Sequence, residues 1–248
     1  MYQNISLENI LFIDIETVPL FPSWAEVPAH WQELWKKKAD TLKRNEDETA
    51  ADIYGRAGIY AEFGKIICIS LGFLSYSDGQ ERFRMKSFAG DDEKQLLEEF
   101  AELLRKRFNR DVFRLCGHNV KEFDIPFIAR RMIINSVRLP ALLDIAGKKP
   151  WEIPHLDTME MWKFGDFKSY TSLTLLASAL GIPTPKDDIN GSQVYSVYYE
   201  EKNLPRIVTY CQKDVFTVAQ ILRRFRNEPL LEPDAVLISE RTPASATD

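Results

Sequence analysis

The sequence predicts an α/β fold in which a mixed sheet carries helices on its faces, and three observations predict it. NILFIDI, from Asn9 to Ile15, is a run of β-favouring apolar residues that fits a buried strand. KIICISLGFL and ERFRMKSF, with SDGQ between them just before the second, read as two strands of an antiparallel hairpin. After the hairpin, strand-like segments alternate with amphipathic helical ones, the pattern of strands connected across the faces of a sheet. A chain of 248 residues, 45% of them apolar, has ample material for a large buried core.

Taken in order, the first strand is expected to stop at ThrValPro, because Pro19 cannot donate to a ladder. From Phe21 to about Phe63 the character changes: Trp24, Trp31, Leu34 and Trp35 recur at helical spacing, followed by the charged run KKKADTLKRNEDETAAD. Residues 21–63 therefore read as a mostly helical insertion. The hairpin strands run from Lys65 to Leu74 and from Glu81 to Phe88 around an Asp-Gly turn signal. DDEKQLLEEFAELLRKRFN has acids in its first turn, bases in its last, and Leu96, Leu97, Phe100, Leu103, Leu104 and Phe108 on one face, so it is an amphipathic helix. DVFRLCGHN supplies a fourth strand and IPFIARRMIINS a helix with a proline in its first turn. IPHLDTM gives a short fifth strand, SLTLLASALGI a helix closed by Gly181, and LPRIVTYCQKDVFTVAQILRRFR a long final helix. Proline, serine and charge from Asn227 onward mark residues 227–248 as a mobile tail after a single domain of residues 1–226.

A net charge of −5 argues against nucleic-acid binding through a positive field over the whole surface, but leaves room for a local basic groove. Cys68, Cys116 and Cys211 are an odd number at wide spacing, two of them in apolar strand-like runs, and read as reduced packing residues. No stretch approaches the ~20 apolar residues of a membrane span, and MYQNISLENILF lacks the pattern of an export signal. The expectation is a soluble, cytoplasmic protein without membrane contact.

The chemistry-bearing residues are carboxylates. Asp14 and Glu16 stand two apart on the first strand, so both project to one side near its C-terminal end, where sites form in open α/β sheets. Paired acids leaving an apolar strand repel each other and are costly to desolvate unless a cation offsets them. Hard oxygen ligands suit magnesium or manganese rather than zinc, and no His or Cys cluster offers a soft site. In the final helix, Tyr210 and Asp214 are four apart and share one face. In CGHNVKEFDIPFI, Asp124 stands at the start of a helix, where an acid is equally a capping residue, and Asn119 is equally a turn residue.

These three segments, read as FIDIETVP, GHNVKEFDIPFI and YCQKDVFTVAQIL, resemble the exonuclease motifs of the tyrosine-containing subgroup of the DEDD superfamily. They are most similar to the proofreading exonuclease domain of family-B DNA polymerases. The resemblance runs from about Asn9 to Arg226, without a clear counterpart for the insertion, and with no polymerase domain following, so the chain looks like a stand-alone exonuclease.

The resemblance implies a ribonuclease H-like fold, with a mixed five-stranded sheet, and hydrolysis of phosphodiester bonds at 3′ ends with two divalent cations, Mg2+ or Mn2+. Carried over, Asp14 would bridge both ions, Glu16 and Asp214 would complete the first site, and Asp124 would hold the second. Tyr210 would orient the attacking water, since a phenol with a pKa near ~10 is a poor base at neutral pH. Thr17, Asn119 and Phe123 would lie along the substrate. The expected substrate is the 3′ end of single-stranded or frayed DNA, in repair or editing. RNA 3′ ends remain open, as does a non-catalytic nucleic-acid-binding module on the same fold.

Several other residues have a bland and a functional reading. Asp157 ends a short strand and is the acid most easily mistaken for a ligand. It falls outside the ligand set that the resemblance implies, which leaves a structural or substrate-side role. His118 and His155 are isolated and read as packing or hydrogen-bonding residues. Lys36, Lys37, Lys38, Lys43 and Arg44, with Trp31 and Trp35, form either a solvated helix face or a grip on phosphates and bases.

Overall fold

The computed structural model describes residues 3–43, 45, 47–77, 79–166, 170–183 and 189–239. Its centre is a sheet of strands β1 (Ile10–Pro19), β2 (Gly64–Ser77), β3 (Gln80–Ala89), β4 (Arg114–Gly117), β5 (Leu156–Asp157) and β6 (Val236–Ile238), in the order β5-β4-β1-β2-β3-β6. β1, β2 and β3 form an antiparallel meander, and β4 and β5 add in parallel beside β1. That is the five-stranded mixed sheet expected of a ribonuclease H-like domain. The hairpin closes with Ser77 opposite Gln80 and Gly79 at φ 73°, while Asp78 of the Asp-Gly turn signal lies outside the described residues.

Two strands depart from the sequence reading. β1 continues through Pro19, which pairs with Gly64 at the last ladder position, where a missing N–H does least harm. On the far edge, β6 adds a sixth strand parallel to β3 and covers backbone groups that an edge strand would leave open. Part of the segment expected to be a mobile tail is thus packed: Leu231 is buried and exchanges hydrogen bonds of 2.8 and 2.9 Å with the Gln220 amide. Residues 240–248 of that segment lie outside the described residues.

Strand alternation divides the core. Leu11, Ile13 and Ile15 face one side, against α2 (Glu93–Arg107) and α3 (Asp124–Ile134). Ile10 and Phe12 face the other, against Val215, Val218, Ala219 and Leu222 of α7 (Leu204–Phe225). α7 can lie close to the sheet because position 72 is glycine: a Cβ there would stand 2.3 Å from the Phe83 ring and 2.9 Å from Val215. Asp92 caps α2 by accepting the Gln95 N–H at 3.0 Å, and Asn203 caps α7 by accepting that of Arg206 at 3.2 Å.

The insertion contributes α1 (Ala29–Asp40) and a 3-10 segment, Tyr54–Ile59, around a small core of its own. Trp35 is its centre, with no exposed surface and its indole N–H donating to the Ala50 carbonyl at 2.9 Å. The charged run beyond Asp40 does not continue the helix. Two short helices, α4 (Thr158–Lys163) and α5 (Leu173–Ala179), follow β5. A further helix, α6 (Val194–Tyr199), was not anticipated; it packs Val194, Val197 and Tyr198 against Val18, Ile67 and Ile207. Among the described residues, no helix is long and apolar enough to cross a membrane.

α2 and α3 are joined beneath the sheet by a buried ion pair. Arg131 donates through Nε and Nη2 to Glu93 at 2.9 and 2.5 Å, and through Nη1 to the Ala61 carbonyl at 2.9 Å. Glu93 also accepts the Ile66 main-chain N–H at 2.8 Å and the Asn135 amide at 3.0 Å. Each guanidinium nitrogen and each carboxylate oxygen of the pair has a hydrogen-bond partner, which is what makes such a burial tolerable.

Candidate metal centre

The site begins where the sheet runs out. β4 accompanies β1 only as far as Phe12, so past that point β1 is unpaired on one side. Gly117 ends β4 in close contact with β1: a Cβ there would lie 3.0 Å from the Ile13 carbonyl and 2.6 Å from the Val120 Cβ. The chain then turns through Asn119, in the left-handed region at φ 67°, and enters α3. Phe123 takes the cap position and Asp124 is the first helical residue, so capping is not what places this acid. Its carboxylate accepts the main-chain N–H of Ile15, across the open side of β1.

Asp14 and Glu16 share the face of β1 that looks toward α7, in line with Ile10 and Phe12. Between Glu16 and Thr17 the ladder with β2 shifts register, and the local bend re-aims the strand end, as bulges beside functional sites do. From α7, Tyr210, Cys211 and Asp214 present one helical face to this strand end. Oxygens of Asp14 and Glu16 and the Cys211 sulfur lie within 4.8 Å of one another. The Tyr210 hydroxyl donates to Asp214, whose charge is felt at both Asp14 and Glu16. Four acids from three distant segments thus converge, with Glu16 8% and Asp124 4% exposed.

Like charges brought together under cover resist ionisation. Burial first, then the charges of Glu16, Asp214 and Asp124, push the Asp14 carboxyl well above its usual range, and burial with Asp214 does the same to Glu16. Asp124 is pushed up to about 7, chiefly by burial, against which its main-chain hydrogen bonds pull down. Tyr210 is driven far above an ordinary phenol by burial and by the charges of Asp214, Glu16 and Asp14, so it keeps its proton and acts as a donor. The Cys211 thiol, also raised by burial, donates to the Asp14 carbonyl at 3.4 Å. A protonated thiol is a poor ligand. The available donor set is therefore hard carboxylate oxygen, which fits magnesium or manganese.

Asp157, the acid most easily mistaken for a ligand, is spent on backbone. Its carboxylate accepts the N–H of Asn119 at 3.0 Å and of Lys121 at 3.1 Å, and caps α4 through Met159 and Glu160. It shapes the loop that delivers Asp124. His118 is pinned between the Thr158 hydroxyl, 2.9 Å away, and the Thr171 carbonyl, 2.7 Å away. His155 accepts the Leu115 N–H at 3.1 Å and lies 2.9 Å from the Leu142 carbonyl, so both histidines hold the fold.

The remaining sequence candidates are placed as follows. Asn119 Oδ1 is buried without a hydrogen-bond partner among the described residues. Phe123 is half-buried, its ring 5.5 Å from that of Phe127, and Thr17 is half-buried just past the bulge. Trp35 cannot stack on a base because it is wholly interior to the insertion, and Trp31 lies edge-on to Phe63. Lys36 and Lys43 pair with Glu33 and Asp40, each at 2.8 Å, and Lys38 sits over the Tyr60 ring, so these three cations have partners within the insertion. Arg44 lies outside the described residues. Cys211 was missed as a neighbour of the acids; its spacing of three from Asp214 was the available signal.

Comparison with known proteins adds the following. A family described as "Predicted 3'-5' exonuclease related to the exonuclease domain of PolB" matches residues 59–227. The matched span contains Asn119, Asp124, Tyr210 and Asp214 and begins after Asp14 and Glu16. No curated protein matches the sequence. Among solved structures, the RNase domain of the yeast Pop2 protein is similar with 15% identity and a TM-score of 0.40, covering 94% of this chain and 83% of that one. A structure of the yeast NOT1 MIF4G domain co-crystallized with CAF1 is similar with 16% identity and a TM-score of 0.40, covering 94% and 85%.

Proposed function

Because the chain belongs to the family of predicted 3'-5' exonucleases related to the exonuclease domain of PolB, we propose that it removes nucleotides from the 3′ ends of single-stranded or frayed DNA. The observation that carries this reading is the convergence of Asp14, Glu16, Asp124 and Asp214 beside a protonated Tyr210 at the open end of β1. The Asp14 carboxyl feels the charges of Glu16, Asp214 and Asp124 together. These four carboxylates hold two divalent cations, Mg2+ or Mn2+, which supply Lewis-acid activation of water and charge stabilisation at the phosphodiester. Tyr210, whose hydroxyl proton goes to Asp214, positions the attacking water by accepting a hydrogen bond from it. Asn119, whose amide oxygen has no partner among the described residues, and Phe123 and Thr17 face the terminal nucleotide.

The direct test incubates the protein with end-labelled single-stranded DNA, duplex DNA and RNA, with magnesium, manganese or chelator. A metal-dependent ladder shortening from the 3′ end of DNA is the expected result; a ladder on RNA alone would redirect the substrate, and none on any strand would remove the activity. In the same assay Tyr210→Phe is expected to slow turnover by about 10–1000-fold, the range of a lost positioning hydrogen bond. Metal affinity, read by thermal shift, should stay within a factor of two or so of wild type, because the phenol is not a ligand.

Metal removal has its own signature. Between about pH 4 and 7 the folded chain holds a proton on Asp124 that the unfolded chain has released. Metal-free stability is therefore full below that window and falls as the pH rises through it. In chelator, the melting temperature should be several degrees higher near pH 5 than near pH 8, at roughly 2–4 °C for each kcal/mol. Magnesium or manganese should raise it more at the higher pH, and a metal effect independent of pH would contradict the shared carboxylate site.

A further inference from the structure

At the opposite end of β4 and α3 from the carboxylates is a cavity of about 620 Å³, a size typical of small-ligand sites. α3 spans 11 residues between the two places, roughly 16 Å at 1.5 Å per residue, so this is a separate site. Its apolar wall includes Phe113, half-buried and edge-on to Phe108 at 5.1 Å. Its rim carries Arg105, Arg110, Arg114, Arg138 and Lys148 against a single acid, Asp111. None of the five cations is in an ion pair among the described residues, in a chain whose net charge is −5.

The helix dipole accounts for Arg105 alone, in the last turn of α2. Arg114 is held in place by donating to the carbonyls of Asp111 and Phe113, and Arg105 by donating to the Arg138 carbonyl at 3.0 Å. A guanidinium has five N–H donors, so both keep donors free while their positions are fixed. The positive field reaches the wall: His155 is pushed down to about 4 by burial and then by Arg114, Lys121 and Lys148.

We propose that this cavity binds a nucleoside phosphate, with the phosphate on Arg110, Arg114 and Arg138 and the base against Phe113. Unpaired arginines around a concave floor match a phosphate, and a half-buried aromatic ring lining the same cavity matches a base more closely than a bare anion. The ligand is either a free nucleotide or the phosphorylated end of a strand, and either is independent of the chemistry assigned to the carboxylates.

The test uses the full chain in chelator, with binding measured by calorimetry for adenosine monophosphate, adenosine, inorganic phosphate, and a short DNA strand with and without a 5′-phosphate. Saturable binding of adenosine monophosphate, at least tenfold tighter than adenosine or phosphate, is expected. The double variant Arg110→Glu, Arg138→Glu changes two exposed side chains and should weaken it at least tenfold at unchanged melting temperature. If only the 5′-phosphorylated strand binds and the double variant releases it, the proposal stands with the strand end as source. Binding unaffected by the double variant, phosphate binding as tight as the nucleotide's, or no saturable binding would each overturn it. None of these readouts requires turnover, so failure here is distinguishable from failure to trim 3′ ends.

Discussion

Replacing Asp14 with alanine is expected to reduce 3′ trimming by at least about a thousandfold, the scale of losing several kcal/mol of charge stabilisation at the reacting phosphate. The Asp14 carboxyl feels the charges of Glu16, Asp214 and Asp124, so its removal takes away a carboxylate that faces the whole cluster. The folded chain should survive the change. Asp14 is partly exposed and its ladder partner across β2 is Ser70, and the loss relieves repulsion in the metal-free state. Two readouts are needed. Single-turnover cleavage of an end-labelled strand should vanish, and the rise in melting temperature with manganese should shrink together with it. Cleavage within tenfold of wild type would end the assignment of these acids as the reacting centre. Loss of cleavage with an intact metal response would keep the metal site but move Asp14 out of it.

Replacing Arg131 with methionine is expected to cost about 3–5 kcal/mol of stability, the penalty for stranding one charge of a buried pair. At roughly 2–4 °C per kcal/mol, the melting temperature should fall by about 6–20 °C. Arg131 is 4% exposed, and its three nitrogens bind Glu93 and the Ala61 carbonyl, tying α3 to α2 and to the end of the insertion. Lysine should rescue little, since a single ammonium cannot reproduce the fork. Adding Glu93→Gln should recover part of the loss by removing the stranded charge, but not all, because the fork to Glu93 and the bond to the Ala61 carbonyl are both lost with the guanidinium. A single variant melting within two degrees or so of wild type would show that water reaches the pair.

The consequence for the site is indirect but physical. α3 carries Asp124 at its first residue and Arg131 two turns later, so the buried pair fixes the axis along which that acid is delivered. The same holds for α7, where the close approach at Gly72 sets how near Tyr210 and Asp214 come to β1.

Local chemistry made much of this legible from the chain alone. A strand announces itself by β-favouring apolar residues, and the face that Asp14 and Glu16 share follows from a period of two. The hairpin, α2 and α7 are written in turn residues, terminal charges and helical spacing, all of which act within a few residues. The order of the acidic segments, and their pairing with Tyr210, needed no coordinates either. What the sequence could not decide depends on contacts between distant positions. Asp157 and Asn119 are 38 residues apart, and only the fold turns that aspartate into a backbone anchor. Trp35 looked available until Tyr54, Tyr60 and Phe63 closed around it. Val236, Leu237 and Ile238 found a strand edge that their own neighbourhood does not advertise. Propensity and periodicity are short-range, whereas burial, pairing at a sheet edge and the mutual repulsion of gathered carboxylates arise when remote segments share the same space.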